Sequence, residues 1–229
     1  MSGSKEILQS WEANAGAWMA TIDNNELESR RLVTNDAIIH TVLRRSPKKV
    51  LDLGCGEGWL SRELRKKGLQ VWGTDAVQSF IDTAIERDGG FYFRYSYEEI
   101  IAGQHRLPIP FDAIIINFAL LDKEVTEKLL QSLLLLLRKD GCIIIQTLHP
   151  FNIASTEEYK TGWKEGSWNG MNREFVLPYQ WYFRIFEDWI KLFTRLGYVL
   201  EELKEPVHPQ TGQPVSVIFV LKRKQFHSY

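Results

Sequence analysis

Val50-Leu51-Asp52-Leu53-Gly54-Cys55-Gly56-Glu57-Gly58, followed 17 residues after its last glycine by Asp75, decides how this 229-residue chain folds. Val50 to Leu53 is apolar apart from Asp52 and follows Pro47-Lys48-Lys49, the pattern of a buried strand that begins just past a proline. Three glycines at alternate positions end it. They reach backbone torsions closed to other residues and let a bulky ligand lie against the main chain. Glu57 to Lys67 then places Leu60 and Leu64 four apart among polar residues, which predicts an amphipathic helix with Gly68 as its C-cap. Leu69 to Gly73 reads as a second strand ending at Thr74-Asp75. The product is one βαβ unit of the doubly wound kind, with an acid at the tip of its second strand.

A carboxylate at that tip offers two acceptor oxygens to the two neighbouring hydroxyls of a ribose, so the motif predicts an adenosine-containing ligand. A dinucleotide fingerprint counted from Gly54 needs a small residue at position 59, and the chain has Trp59. A shifted reading, Gly56-x-Gly58-x-x-Ser61, leaves Asp52 and Gly54 without a role. A bare strand-to-helix turn with Asp52 solvated is the remaining alternative. The run V-L-D-L-G-C-G-E-G closely resembles the first motif of the class I S-adenosylmethionine-dependent methyltransferases. That resemblance implies S-adenosylmethionine as cofactor, S-adenosylhomocysteine as product and a seven-stranded Rossmann-like sheet.

The rest of the chain continues the alternation. Gln78 to Arg87 is a helix candidate, Phe91 to Phe93 a short strand and Glu98 to Gly103 a short helix. Ala113 to Asn117 is an apolar run suited to a central parallel strand buried on both faces. Lys123 to Arg138 is helical by periodicity, ended by Asp140-Gly141, and Cys142 to Thr147 is a fifth strand. Glu187 to Leu196 carries Trp189, Leu192, Phe193 and Leu196 on one side, and Gly197 caps it. Tyr198 to Leu203 and Val215 to Lys222 read as a closing hairpin around Pro206, Pro209, Gly212 and Pro214. The expected fold is α/β: a three-layer, doubly wound, mostly parallel sheet closed by an antiparallel C-terminal hairpin. One domain over 1–229 is expected, divided into a helical cap (1–45), a cofactor-binding core (46–150), a substrate lid (151–186) and a C-terminal helix and hairpin (187–224).

Net charge is −1, so no field favours nucleic acid or a membrane surface. Arg62 to Lys67, the densest basic run, contains a glutamate and reads as a solvated helix face. Two cysteines, Cys55 and Cys142, show neither metal-ligand spacing nor a disulfide framework. A reducing, cytoplasmic setting is expected, because Met1 to Ser10 lacks the apolar stretch of a signal peptide and no run approaches membrane-spanning length. Leu129 to Leu137, with seven leucines, reads as a buried helix.

Ligands of open α/β sheets lie beyond the carboxyl ends of the strands. That rule selects Asp52, Gly54, Gly56, Gly58, Asp75, Arg94 to Tyr97, Asn117, Phe118 and His149. The family resemblance implies that the glycine loop, with Cys55, lies beneath the methionine and ribose, and that Asp75, followed by Ala76, binds the ribose. It also implies that the backbone of Asn117 and Phe118 meets the methionine amino group. Asn117 read without the resemblance is a strand-end turn residue. Relatives carry an acid and then an apolar residue after the third strand to hold the adenine. Ser96-Tyr97 departs from that pattern, leaving the serine hydroxyl or the two backbone groups to replace the carboxylate. In methyltransferases of similar layout, including those resembling the ubiquinone-pathway O-methyltransferases, an N-terminal helix closes the cofactor pocket. Here that region, Trp11 to Ile39, supplies Trp18 and Arg31, with Arg30 as its rival, to meet the methionine carboxylate through a planar guanidinium fork.

Residues 151–186 hold ten aromatics, well above the chain's 12 %. Among them Trp163, Trp168, Tyr179 and Trp181 are candidate lid residues, able to line an apolar pocket, to cage a cationic amine or simply to pack the lid onto the core. His149, just past the fifth strand and before Pro150, is the candidate general base, with Tyr159 and His208 behind it. No metal-ligand cluster is visible in the sequence. These readings favour a methyltransferase acting on an O, N or C nucleophile of a small molecule. A protein or RNA methyltransferase and a non-catalytic cofactor-binding relative are the alternatives. The accepting atom and the oligomeric state are not legible.

Overall fold

The computed structural model describes residues 3–154 and 158–225, so residues 155–157 of the expected lid and the two chain ends lie outside the described residues. A long helix, α1 (Gly3–Asp23), opens the chain and is followed by a π-helical turn (Arg30–Thr34) that runs into α2 (Asn35–Leu43). The core then alternates β1 (Lys49–Leu53), α3 (Trp59–Lys66), β2 (Gln70–Asp75), α4 (Gln78–Asp88), β3 (Phe91–Arg94), α5 (Tyr97–Ile101), β4 (Phe111–Asn117), α6 (Glu124–Leu136) and β5 (Leu137–Leu148). After α7 (Pro150–Ala154), two short strands, β6 (Gly162–Lys164) and β7 (Trp181–Phe183), precede α8 (Phe186–Arg195), β8 (Tyr198–Lys204) and β9 (Ser216–Arg223).

The main sheet has seven strands in the order β3-β2-β1-β4-β5-β9-β8. All pairings from β3 to β5 are parallel, and β9 runs antiparallel to both β5 and β8, which is the expected closing hairpin. Parallel strands need a crossover, and the helices that supply it cover both faces. On one face Leu51, Leu53, Ile114, Ile116, Ile143 and Phe219 pack against Leu129 and Leu133 of α6 and Trp189 and Phe193 of α8. On the other, Val50, Val71, Ala113, Ile115, Ile144 and Ile218 meet Ile38 and Val42 of α2 and Leu60 and Leu64 of α3. Truncating one such fully buried side chain to alanine costs about 2–5 kcal/mol, so both layers are integral to the sheet. Strand order reverses between β1 and β4, which puts the switch point beside the glycine loop.

Two boundaries differ from expectation. The helix expected to run to Arg138 stops at Leu136, and β5 starts at once with Leu137 paired to Phe111, the register shifting between Phe111 and Ala113. Asp140-Gly141 therefore lies inside the strand and not at a helix end. The expected lid also contains a second sheet, β6 antiparallel to β7. Among the described residues no helix is long and apolar enough to cross a membrane.

Candidate functional site

At the carboxyl end of β1 the backbone N–H groups of Gly54 and Cys55 both donate to Thr74 O, at 2.8 and 3.0 Å. This pins the glycine loop to the end of β2. Gly56 N–H donates to Asp75 Oδ2 at 2.9 Å and Val77 N–H to Asp75 Oδ1 at 3.0 Å. Each carboxylate oxygen thus holds a backbone donor and keeps further acceptor capacity. Gly54 has φ +72°, and a Cβ there would lie 2.5 Å from Ala119 Cβ and 2.7 Å from the Tyr97 hydroxyl oxygen. Gly58 has φ +81° and would meet the Tyr92 hydroxyl at 2.5 Å. Neither position admits a side chain. The Tyr97 hydroxyl donates to Ala119 O at 3.1 Å, tying the start of α5 to the segment after β4 across Gly54.

Three carboxylates sit close together here. Asp52, 1 % exposed, accepts from Ser61 Oγ at 2.7 Å. Burial pushes its carboxyl up to about 7 against the Ser61 hydrogen bond, with the charges of Asp75 and Glu57 adding to the rise. Asp75 is also raised by burial, opposed by the backbone donors of Val77, Gly56 and Ala76. Glu57 is buried between Arg62 at 2.8 Å and Arg87 at 3.6 Å, and Arg87 reaches on to Asp23 of α1 at 2.8 Å. The Cys55 thiol is packed with Ile81, Ala84 and Tyr92, and burial pushes it well up, so it is an inert part of the loop's support.

Of the two N-terminal arginines, Arg30 is the one turned inward. Its guanidinium lies 4.8 Å from the Trp59 ring and 5.9 Å from Trp18, and burial lowers it to about 10 despite the charge of Glu57. Arg31 is half exposed and 3.9 Å from Glu28. Thr21, Asn25, Arg30, Arg31, Asn35 and Trp59 line a cavity of about 150 Å³ into which the π-turn delivers both arginines. The buried Thr21 hydroxyl in its wall has no hydrogen-bond partner.

The aromatic segment packs on α1. Trp168 stacks on Phe175 at 4.6 Å, meets Trp11 edge-on at 4.8 Å and donates its indole N–H to Ser10 Oγ at 3.0 Å. Asn14 exchanges two hydrogen bonds with Val176, at 2.6 and 2.7 Å. Tyr179 is buried in the same cluster, Trp181 packs against it, and Trp163 is 41 % exposed. At the end of β5, His149 is buried with both nitrogens engaged. Nε2 meets Glu205 Oε1 at 2.8 Å and Nδ1 accepts Phe151 N–H at 3.1 Å. Tyr159 is exposed, and His208 is 3.9 Å from Glu28.

The structure brings Asp52, Gly54, Gly56, Asp75, Tyr97 and Phe118 to one end of the sheet, and from the cap Arg30, beside Trp18, meets Trp59, the residue that follows the glycine loop. Ser96 is the N-cap of α5. Its side chain caps α5 by accepting Glu99 N–H, while the Glu99 carboxylate accepts Ser96 N–H. Sequence reasoning weighed Ser61 only in the shifted glycine spacing and gave it no role toward Asp52, which it meets as the third residue of α3. It also missed Tyr92 and Ala119, which fill the space beside the glycines.

The sequence profile of the methyltransferase-domain family matches residues 27–202. Demethylmenaquinone methyltransferase of Thermotoga maritima is 30 % identical over 122 residues, half of each chain. Malonyl-[acyl-carrier protein] O-methyltransferase of Legionella pneumophila is 25 % identical over 139 residues, 58 % of this chain and 47 % of that one. The chain thus matches about half the length of these curated relatives. Among solved structures, the 1,6-didemethyltoxoflavin-N1-methyltransferase of Burkholderia thailandensis superposes with TM-score 0.64 at 14 % identity, over 93 % of this chain and 88 % of that one, a likeness of fold.

Proposed function

The chain belongs to the methyltransferase-domain family, and on that premise we propose that it binds S-adenosylmethionine at the glycine loop and methylates an O, N or C nucleophile of a small organic molecule. The hydrogen-bonded unit of Gly56 and Asp75 carries the reading, since it presents two oriented acceptor oxygens beside Gly56, where a Cβ would meet nothing within 4 Å. The residues fit the group: Asp75 takes the ribose hydroxyls, and the Gly54 to Gly58 backbone lies under the nucleoside. Asn117 and Phe118 face the methionine end, and Arg30, next to the unpartnered Thr21 hydroxyl, meets its carboxylate. When bound, the cofactor supplies a sulfonium methyl that is reactive without further activation.

The protein's own contribution is alignment and exclusion of water, and holding two reactants in line can lower a barrier by several kcal/mol. The cap and aromatic segment, latched through Ser10, Asn14 and Trp168, close the reaction volume. For an acceptor that must lose a proton, His149 serves as base through Nδ1, exchanging the Phe151 N–H for the acceptor's proton while Glu205 holds Nε2–H and fixes the tautomer. A small substrate, with no nucleic acid or membrane partner, is consistent with the near-zero net charge. Incubation with S-adenosylmethionine and a panel of small hydroxyl, amino and carbon acids should release S-adenosylhomocysteine with at least one of them. Release only with polypeptide or RNA substrates would overturn the small-molecule reading.

A further inference from the structure

Gln146 is a buried polar residue that the cofactor site does not use. It lies near the carboxyl end of β5, on the same face as Ile144 and Cys142, just past the buried apolar run Cys142 to Ile145. It is 1 % exposed. Its Nε2 donates to Ser216 Oγ on β9 at 2.9 Å, while Oε1 has no hydrogen-bond partner. Turning the amide over does not repair this. The serine hydroxyl would then donate to Oε1 and Nε2 would be left alone.

A second unmet acceptor lies beside it. Gln146 is directly opposite Asn117 in the β4–β5 register, so both side chains leave the sheet on one face, and Asn117 Oδ1 is also buried without a partner. The carbonyl of Gln146 accepts Phe118 N–H at 2.8 Å, and Phe118 holds φ +55°, a conformation that is costly for a bulky side chain and is retained where surrounding structure enforces it. Buried acceptors are normally satisfied, and a pair left open at the ligand-facing end of a sheet offers a place for a ligand's donor.

Position says which ligand supplies it. Asp75 and the glycine loop belong to β2 and β1, whereas β5 is two strands beyond β1 and leads directly into the aromatic segment. We propose that Gln146 is a specificity-determining residue for the methyl acceptor, reading a hydrogen-bond donor on it such as an aryl hydroxyl or ring N–H. Asn117 Oδ1 assists. A carboxylate acceptor is selected against, because it would bring further acceptor oxygens to two that need donors. This rests on the methyl-transfer reading above and adds the substrate class.

The test uses the full chain saturated with S-adenosylhomocysteine, titrated with matched probes: 1-naphthol, 1-methoxynaphthalene and 1-naphthoate, then indole and N-methylindole. The donor-bearing member of each set should bind about tenfold or more tightly than its methylated twin and than naphthoate, since a site built to bond a donor rejects analogues lacking it. Gln146→Met, of similar length and without the amide, should bring that ratio to about one while S-adenosylhomocysteine affinity is kept. The Gln146 side-chain amide resonances of the unmutated protein should move with naphthol and not with methoxynaphthalene, which covers a variant that fails to fold. Equal affinity within each pair, preference for naphthoate, or unmoved Gln146 resonances on naphthol binding overturns the proposal. Failure of S-adenosylhomocysteine to bind at all would instead overturn the cofactor reading.

Discussion

Gly56 donates its backbone N–H to Oδ2 of Asp75 across 2.9 Å, so the glycine loop and the acid at the tip of β2 form one hydrogen-bonded unit. Val77 N–H holds the other oxygen, which fixes the rotation of the carboxylate about its bond. An adenosine ligand therefore meets an acceptor pair already in position and loses little entropy in orienting it. The loop owes its shape to Gly54 and Gly58, whose positive φ and crowded surroundings exclude any Cβ.

Beneath that unit, Asp52 makes stability depend on pH. In the unfolded chain its proton leaves near the ordinary 3.8, whereas in the folded protein burial holds it to about 7. The folded state carries the extra proton between those values, so the unfolding free energy should fall as pH rises from about 4 to 7, by on the order of a few kcal/mol. Asp52→Asn removes this ionisation. Denaturant titrations of both proteins should give similar stability at pH 4 to 5 and a variant that is the more stable at pH 8. A difference that does not grow with pH would show that Asp52 ionises normally.

The two hydrogen bonds between Asn14 and Val176 latch the aromatic segment to α1. Asn14→Ala removes both and should cost about 2 kcal/mol, taking about 1 kcal/mol for each. Backbone amides in 167–183 should then exchange with solvent faster, while those of β1, β4 and β5 keep their protection. Exchange rising equally across the sheet would mean that the latch is part of the global core.

Arg30 and Arg31 line one cavity and differ in burial and partners. Arg30 lies over Trp59 and Trp18, and Arg31 is half exposed. Arg30→Ala should weaken S-adenosylhomocysteine binding about tenfold or more, in the range for a lost charge-assisted contact, and Arg31→Ala should leave it within about twofold. The opposite order, or no change in either variant, removes the arginine from the cofactor site.

The β1-α3-β2 unit was legible because its signals are local: Leu60 and Leu64 one helical turn apart, glycines where φ is positive, an acid at the strand tip. The α6 to β5 junction was not. Leu133 to Leu137 is five leucines in a row, so neither period marks the point where helix gives way to strand, and no glycine separates them. The sequence left Arg31 and Arg30 as rivals for a related reason: a π-turn over 30–34 advances fewer degrees per residue than an α-helix, so counting by 3.6 does not tell which of them turns inward. The partners of Trp168 and Val176 lie on α1, about 160 residues earlier, as the Asn14 to Val176 separation of 162 shows. No local pattern reports a contact at that range.

Binding of S-adenosylhomocysteine to the unmutated chain and to Asp75→Ala, followed by isothermal calorimetry, tests the central claim most directly. The account predicts saturable one-to-one binding to the unmutated protein. In the variant, checked to be folded by its circular dichroism, affinity should fall about tenfold or more, as expected for losing hydrogen bonds to a charged acceptor. No saturable heat with the folded unmutated chain, or equal affinity in the two proteins, would contradict it.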